Sequence, residues 1–132
     1  MNTKKIGKVG ERIAEDYLKN KGYRVLEKNY PFRIPGSPQR GEIDIVAKKE
    51  DIISFIEVKT LMVKNGQEQF LTILPEEKVG LGKKKKLVKT AESWLIKNQI
   101  PLNSKWQIDV IAIEIRNKGF KISHFENAIP YY

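Results

Sequence analysis

The stretch GEIDIVAKKEDIISFIEVK, residues 41–59, holds two short apolar runs joined by a polar turn. Runs of this length, rich in Ile, Val and Phe and bounded by turn residues, read as strands. Residues 42–47 and 52–60 are therefore expected to pair as an antiparallel hairpin through a tight turn at 48–51. Charges interrupt both strands: Asp44 in the first, Glu57 and Lys59 in the second. Side chains alternate along a strand. Glu42, Asp44 and Val46 are thus expected on one face, with Ile43, Ile45 and Ala47 on the other. Glu57 and Lys59 share a face, and Ile56 and Val58 point away from it. Pairing then lets Asp44, Glu57 and Lys59 converge on one side while the apolar sets pack a core. Two carboxylates brought together in a partly buried place repel and raise a pKa; a divalent cation removes that repulsion. The competing reading of Glu57-Val-Lys59 is a solvated face carrying a salt bridge.

Working outward, Ile6, Val9, Ile13 and Tyr17 recur at helical spacing and predict a helix over residues 4–20. Gly7, Glu11, Ala14 and Leu18 form a neighbouring stripe, which sets Glu11 at the edge of the buried face. Gly22 is a candidate C-terminal cap. Residues 23–29 read as a strand, and residues 30–40, with three prolines, Gly36 and Ser37, as a loop. Residues 61–82 carry the turn signal Asn65-Gly66 and a possible short strand at 70–74. A second helix is expected over 83–98, with Leu87, Val88, Ala91, Trp94 and Leu95 as its apolar face. The nearly continuous apolar run 106–115 reads as a strand covered on both faces. A turn at Asn117-Lys-Gly119 leads to a last strand at 120–125. The order is helix, three strands, helix, two strands: an α/β arrangement with helices flanking a central sheet, in one domain spanning residues 1–132.

The 132 residues include 25 Lys and Arg against 16 Asp and Glu, a formal net charge of +9. Such a surplus points to a polyanionic partner, nucleic acid before an anionic membrane surface. The absence of cysteine excludes disulfides, thiol catalysis and thiolate metal sites. The single histidine, His124, cannot make a His-cluster metal site alone, so any metal is expected to be held by oxygen, which suits magnesium, manganese or calcium. Glu11, Glu15 and Asp16 break any apolar run after the basic start, so no signal peptide is expected. No apolar stretch approaches a membrane span. A cytoplasmic location is the resulting expectation.

Asp44 followed by Glu57-x-Lys59 resembles the PD-(D/E)xK signature of the restriction-endonuclease-like fold. The whole chain resembles the YraN family, whose members look like archaeal Holliday-junction resolvases. The matching residues include Gly7, Gly10-Glu11, Ala14, Tyr17-Leu18, Gly22-Tyr23, Asn29, Gly41-Glu42-Ile43-Asp44 and Ile56-Glu57-Val58-Lys59. Lys83, Lys86-Leu87, Ala91, Trp94-Leu95 and Asp109-Val110 extend the match. The resemblance implies a three-layer fold with an αβββαβ core and a mixed sheet flanked by helices. It implies Asp44, Glu57 and Glu11 as metal ligands, Lys59 as the catalytic lysine, and Mg2+ or Mn2+ as cofactor. The implied activity is DNA endonuclease cleavage selective for branched or otherwise structured DNA. A homodimer follows by analogy, since two symmetric cuts need two sites. Ile43 stands where the signature usually has proline. The 30–40 loop looks longer than the family's connection.

The lysine run Lys83, Lys84, Lys85 and Lys86 opens the second helix, where positive charge opposes the helix dipole. It is a candidate phosphate grip beside the plainer reading of a solvated helix start. Arg33 and Arg40 are candidate DNA contacts on the loop before the hairpin. Trp94 and Trp106 are expected in the core, and Phe32 as a packed anchor or a base-stacking residue. His124 is expected to be structural or at the surface. Asp109 reads either as a hydrogen-bonding residue of the sheet or as an outer partner of the site. Two functional classes result: a metal-dependent endonuclease, and a non-catalytic nucleic-acid-binding module of a DNA repair or processing assembly.

Overall fold

The computed structural model describes residues 3–33, 35, 36, 38, 40–63 and 81–129. Helix α1 (Thr3–Asn20) is followed by strands β1 (Arg24–Arg33), β2 (Arg40–Lys49) and β3 (Ile52–Met62), helix α2 (Leu81–Lys97), and strands β4 (Trp106–Arg116) and β5 (Gly119–Phe125). The five strands form one sheet in the order β1-β2-β3-β4-β5. Only the β3–β4 pair is parallel, and α2 lies in the connection between them. Parallel neighbours need such a crossover, whereas antiparallel neighbours need only turns. The expected α/β class, the αβββαβ order and the mixed sheet are all present.

The core lies in two halves, one on each face of the sheet. On the α1 side, Ala14 and Leu18 pack on Ile45, Ala47, Ile56, Ile111 and Ile113. On the α2 side, Leu87, Ala91, Trp94 and Leu95 pack on Ile43, Val46, Phe55, Ile108 and Val110. Phe55 sits between Trp94 and Trp106, its ring centroid 5.6 Å from each and nearly perpendicular to both. Both tryptophans are therefore core residues, as read. A sheet covered on both faces explains why β4 is apolar almost without interruption.

α1 ends in a Schellman motif: Tyr23 N–H donates to Leu18 O and Gly22 N–H to Lys19 O, with Gly22 at φ +93°. The centre of its buried face is Gly10, Ala14 and Leu18, while Val9 is exposed. The stripe at Ile6, Val9, Ile13 and Tyr17 is thus the flank of the buried face rather than its centre. Most of the expected 30–40 loop is strand: Tyr30, Pro31, Phe32 and Arg33 pair with Ile43, Glu42, Gly41 and Arg40. Proline is tolerated there because β1 is an edge strand, where a missing N–H costs no ladder bond. The possible strand at 70–74 and the Asn65-Gly66 turn lie outside the described residues. No helix among the described residues is long and apolar enough to cross a membrane.

Candidate functional site

Beyond a β-bulge between Val25 and Glu27 of β1, the alternation of β1 and of β2 breaks together at one level. Lys28 reaches Glu15 of α1, yet Tyr30, two residues on, reaches Ser93 of α2. Between them Asn29 takes φ +53°, a left-handed conformation that asparagine tolerates. Across from it, Ile45 packs on the α1 side and Ile43 on the α2 side. Ile43 therefore shares a face with Val46, not with Ile45 and Ala47 as strict alternation predicts. The β2–β3 ladder stops at the same level, its last pair being Ile45 with Ile56. Beyond it the two strands part, and Asp44 Oδ2 accepts the Val58 N–H at 2.7 Å. A carboxylate thus takes the place of a backbone carbonyl where the ladder opens.

A cavity of about 540 Å³ lies at this parting, lined by Glu11 from α1, Asp44 from β2 and Glu57 and Lys59 from β3. All four residues of the sequence-predicted centre therefore face one space. Lys59 Nζ lies 3.5 Å from Glu57 Oε1, and the Glu57 side chain is nearly buried. Burial, reinforced by the charge of Glu57, pushes the Asp44 carboxyl up to about 7 despite the opposing Val58 hydrogen bond. Burial, together with Glu42 and Glu57, also raises Glu11. Glu42 lines the same cavity. It was not among the predicted site residues, although alternation placed it on the Asp44 face.

Two glycines let both helices come this close. A Cβ on Gly10 would fall on the Thr60 side chain, and one on Gly41 would fall on Thr90 Oγ1. The first lets α1 lie on β3, which delivers Glu11; the second lets α2 lie on β2, which delivers Lys86 to the cavity wall. Lys84 is half-buried and Lys85 exposed, while the Lys83 side chain lies outside the described residues. Arg40 also lines the cavity, whereas Arg33, its strand partner, is exposed on β1. Both arginines sit on paired strand ends rather than in a loop. Phe32 packs against the α2-side core.

A second polar cluster lies on the α1 face, towards the C-terminal end of that helix. Asp109 is fully buried. Its Oδ1 accepts Gln107 Nε2 and the Asn127 N–H, both at 2.9 Å. Its Oδ2 lies 2.8 Å from His124 Nε2, and His124 Nδ1 lies 3.0 Å from Tyr17 Oη. Tyr23 Oη donates to Glu126 Oε1 at 3.3 Å. Burial, with Glu126 and Asp109, pushes the Tyr23 phenol up to about 12. Among the described residues, Asp109, His124 and Glu126 are the three whose ligand atoms all lie within 4.8 Å of one another, close enough to hold a metal ion. Glu11, Asp44 and Glu57 share a cavity without closing to that spacing. His124 and Asp109 are hydrogen-bonded in this network, and neither lines the cavity. Glu126 was missed; turn arithmetic could have found it, because a hairpin closing at 117–119 sets 126 opposite 109 in the β4–β5 register.

The fold and the cavity define a three-layer α/β protein with acids gathered where two central strands part. The chain belongs to the Uncharacterised protein family UPF0102, whose model matches residues 10–113, and this is the YraN family that the sequence motifs pointed to. A UPF0102 protein of Alkaliphilus oremlandii is 41% identical over 127 residues, covering 95% of this chain and 97% of its own. One of Clostridioides difficile is 40% identical over 129 residues, covering 97% and 99%. One of Flavobacterium psychrophilum is 36% identical over 127 residues, covering 96% and 95%.

Proposed function

We propose that the chain is a metal-dependent DNA endonuclease of the PD-(D/E)xK type, acting on branched or otherwise structured DNA. The observation that carries this reading is the gathering of Asp44, Glu57, Lys59 and Glu11 in one open cavity at the splay of β2 and β3. The resolvase-like character comes from the motif resemblance, and a homodimer is part of the same proposal.

The donor set fits a hard cation. Its acids are all carboxylates, and the Asp44 carboxyl, pushed up first by burial and then by the charge of Glu57, is one whose ionised form a cation would stabilise. Asp44 and Glu57 would hold Mg2+ or Mn2+, with Glu11 facing them. Bound there, the ion would polarise the scissile phosphoryl group and make water more acidic. Asp44 is fixed through Oδ2 by the Val58 N–H, which leaves Oδ1 as the oxygen for a ligand bond. Lys59, held beside Glu57, is placed to orient the attacking water and to offset negative charge on the phosphoryl oxygens. Water adds to phosphorus, one P–O bond breaks, and the departing oxygen takes up a proton. Arg40 and Lys86 at the cavity wall would bring the phosphodiester backbone in, and the +9 net charge would raise its local concentration.

The test is cleavage of labelled duplex, single-stranded, flapped, forked and four-way DNA with Mg2+, Mn2+ or chelator. Metal-dependent cutting of a branched substrate is expected. Tight binding with no cutting under either metal would replace the proposal with the non-catalytic DNA-binding module.

A further inference from the structure

The Asp109, His124 and Glu126 cluster takes no part in the proposed cleavage, and it differs from the cavity in donor chemistry. It offers one imidazole nitrogen with two carboxylates, a borderline set that suits zinc-class transition metals rather than magnesium. Its outer partners are those a metal site needs. A metal-bound histidine uses its second nitrogen to donate to a fixed acceptor; here Nδ1 faces Tyr17 Oη at 3.0 Å. Asp109 has Oδ1 held by Gln107 and the Asn127 backbone, which fixes Oδ2 beside His124 Nε2, 2.8 Å away, as the oxygen an ion would take in place of that contact. Glu126 is steadied by the Tyr23 hydroxyl. Each of the three ligands is thus oriented by a neighbour outside the cluster. The residues come from three places, β4, β5 and the turn after β5, and Tyr17 ties them to α1.

We propose that Asp109, His124 and Glu126 form a second metal site, for a zinc-class divalent ion, with three protein ligands and one position left to water. With Nε2 turned to the ion, His124 binds as a neutral imidazole whose single ring proton sits on Nδ1 and donates to Tyr17 Oη. The ion clips edge strand β5 and the C-terminal half of α1 to β4. It stands on different residues from the nuclease reading and does not depend on it.

The experiment is titration of chelator-treated protein with zinc and with cobalt(II), read by calorimetry and by visible cobalt absorption. One ion per chain is expected to bind at this cluster, with cobalt bands of low-coordinate nitrogen and oxygen ligation, and any further ion at the cavity carboxylates should be lost in Asp44→Asn and Glu57→Gln. Thermal unfolding should move up by about 10 °C at a hundredfold excess of zinc over Kd. Asp44→Asn and Glu57→Gln, which alter the cavity, should keep the cobalt spectrum. His124→Gln should abolish it, Glu126→Gln should weaken binding at least about tenfold, and Tyr17→Phe should weaken it about tenfold. Glu126 is exposed and hydrogen-bonded, among the described residues, to the Tyr23 hydroxyl, so Glu126→Gln is the deciding variant if His124→Gln fails to fold. Absence of binding to the wild-type chain, or zinc affinity unchanged in Glu126→Gln, would overturn the proposal.

Discussion

The cavity carboxylates should set the pH dependence of stability, and Asp44→Asn exposes this. In the unfolded chain Asp44 titrates near its ordinary 3.8, while in the folded protein burial and Glu57 push it up to about 7. Between those values the native state binds more protons than the unfolded state, so stability falls as pH rises through the window. At about 1.36 kcal/mol for each pH unit, the loss by about pH 8 reaches roughly 4 kcal/mol. Asparagine keeps an acceptor for the Val58 N–H and removes the charge. The variant should match the wild type at about pH 4 and exceed it at about pH 8 by about 2–4 kcal/mol, the lower figure applying where Glu57 shares the proton. Urea unfolding of both proteins at the two pH values measures the difference directly. Mg2+ or Mn2+ should narrow the gap at the higher pH, since a cation relieves the same repulsion in the wild type alone. A stability difference independent of pH, or an Asn variant less stable at both, would refute the reasoning.

Other parts of the fold give sharper mechanical tests. Gly10→Ala should cost about 1–3 kcal/mol despite the better helix propensity of alanine, because the new Cβ meets the Thr60 side chain. Thr60→Ala should recover much of that cost, as a double-mutant cycle in urea would show. Phe55→Ala, which empties the space between Trp94 and Trp106, should cost about 3–5 kcal/mol and collapse the near-ultraviolet tryptophan signal. Replacing Lys84, Lys85 and Lys86 by Gln should weaken DNA binding and reduce the slope of log K against log salt by about 0.9 for each phosphate no longer neutralised. Lys86→Gln alone should account for a large part of the effect, since Lys86 lines the cavity.

The hairpin at residues 41–59 was legible because each strand carries a strong apolar pattern and a polar turn separates them. The four residues brought to the cavity were legible for the same reason, with Glu11 placed by helical spacing. The break in alternation at Asp44 was not. It arises from Asn29 on the neighbouring strand, whose left-handed backbone leaves no mark in hydrophobic pattern. β1 was read too short because Pro31 resembles a loop signal, and only its edge position makes it tolerable. The true centre of α1, at Gly10, Ala14 and Leu18, was obscured because small residues score weakly as apolar, although close approach to the sheet requires them small. The Asp109 cluster depends on a non-local pairing between β4 and the turn after β5, together with two tyrosines from the far end of the chain. Single residues such as His124 give no hint of such neighbours.

The central claim is that the acids at the splay of β2 and β3 do chemistry on DNA. The most direct measurement is single-turnover cleavage of the tightest-bound branched substrate in Mg2+ by the wild type and by Glu57→Gln, with Kd measured alongside. The account predicts a rate loss of about 10³-fold or more with affinity nearly unchanged. Cleavage within about tenfold of the wild-type rate would contradict it and place the active groups elsewhere.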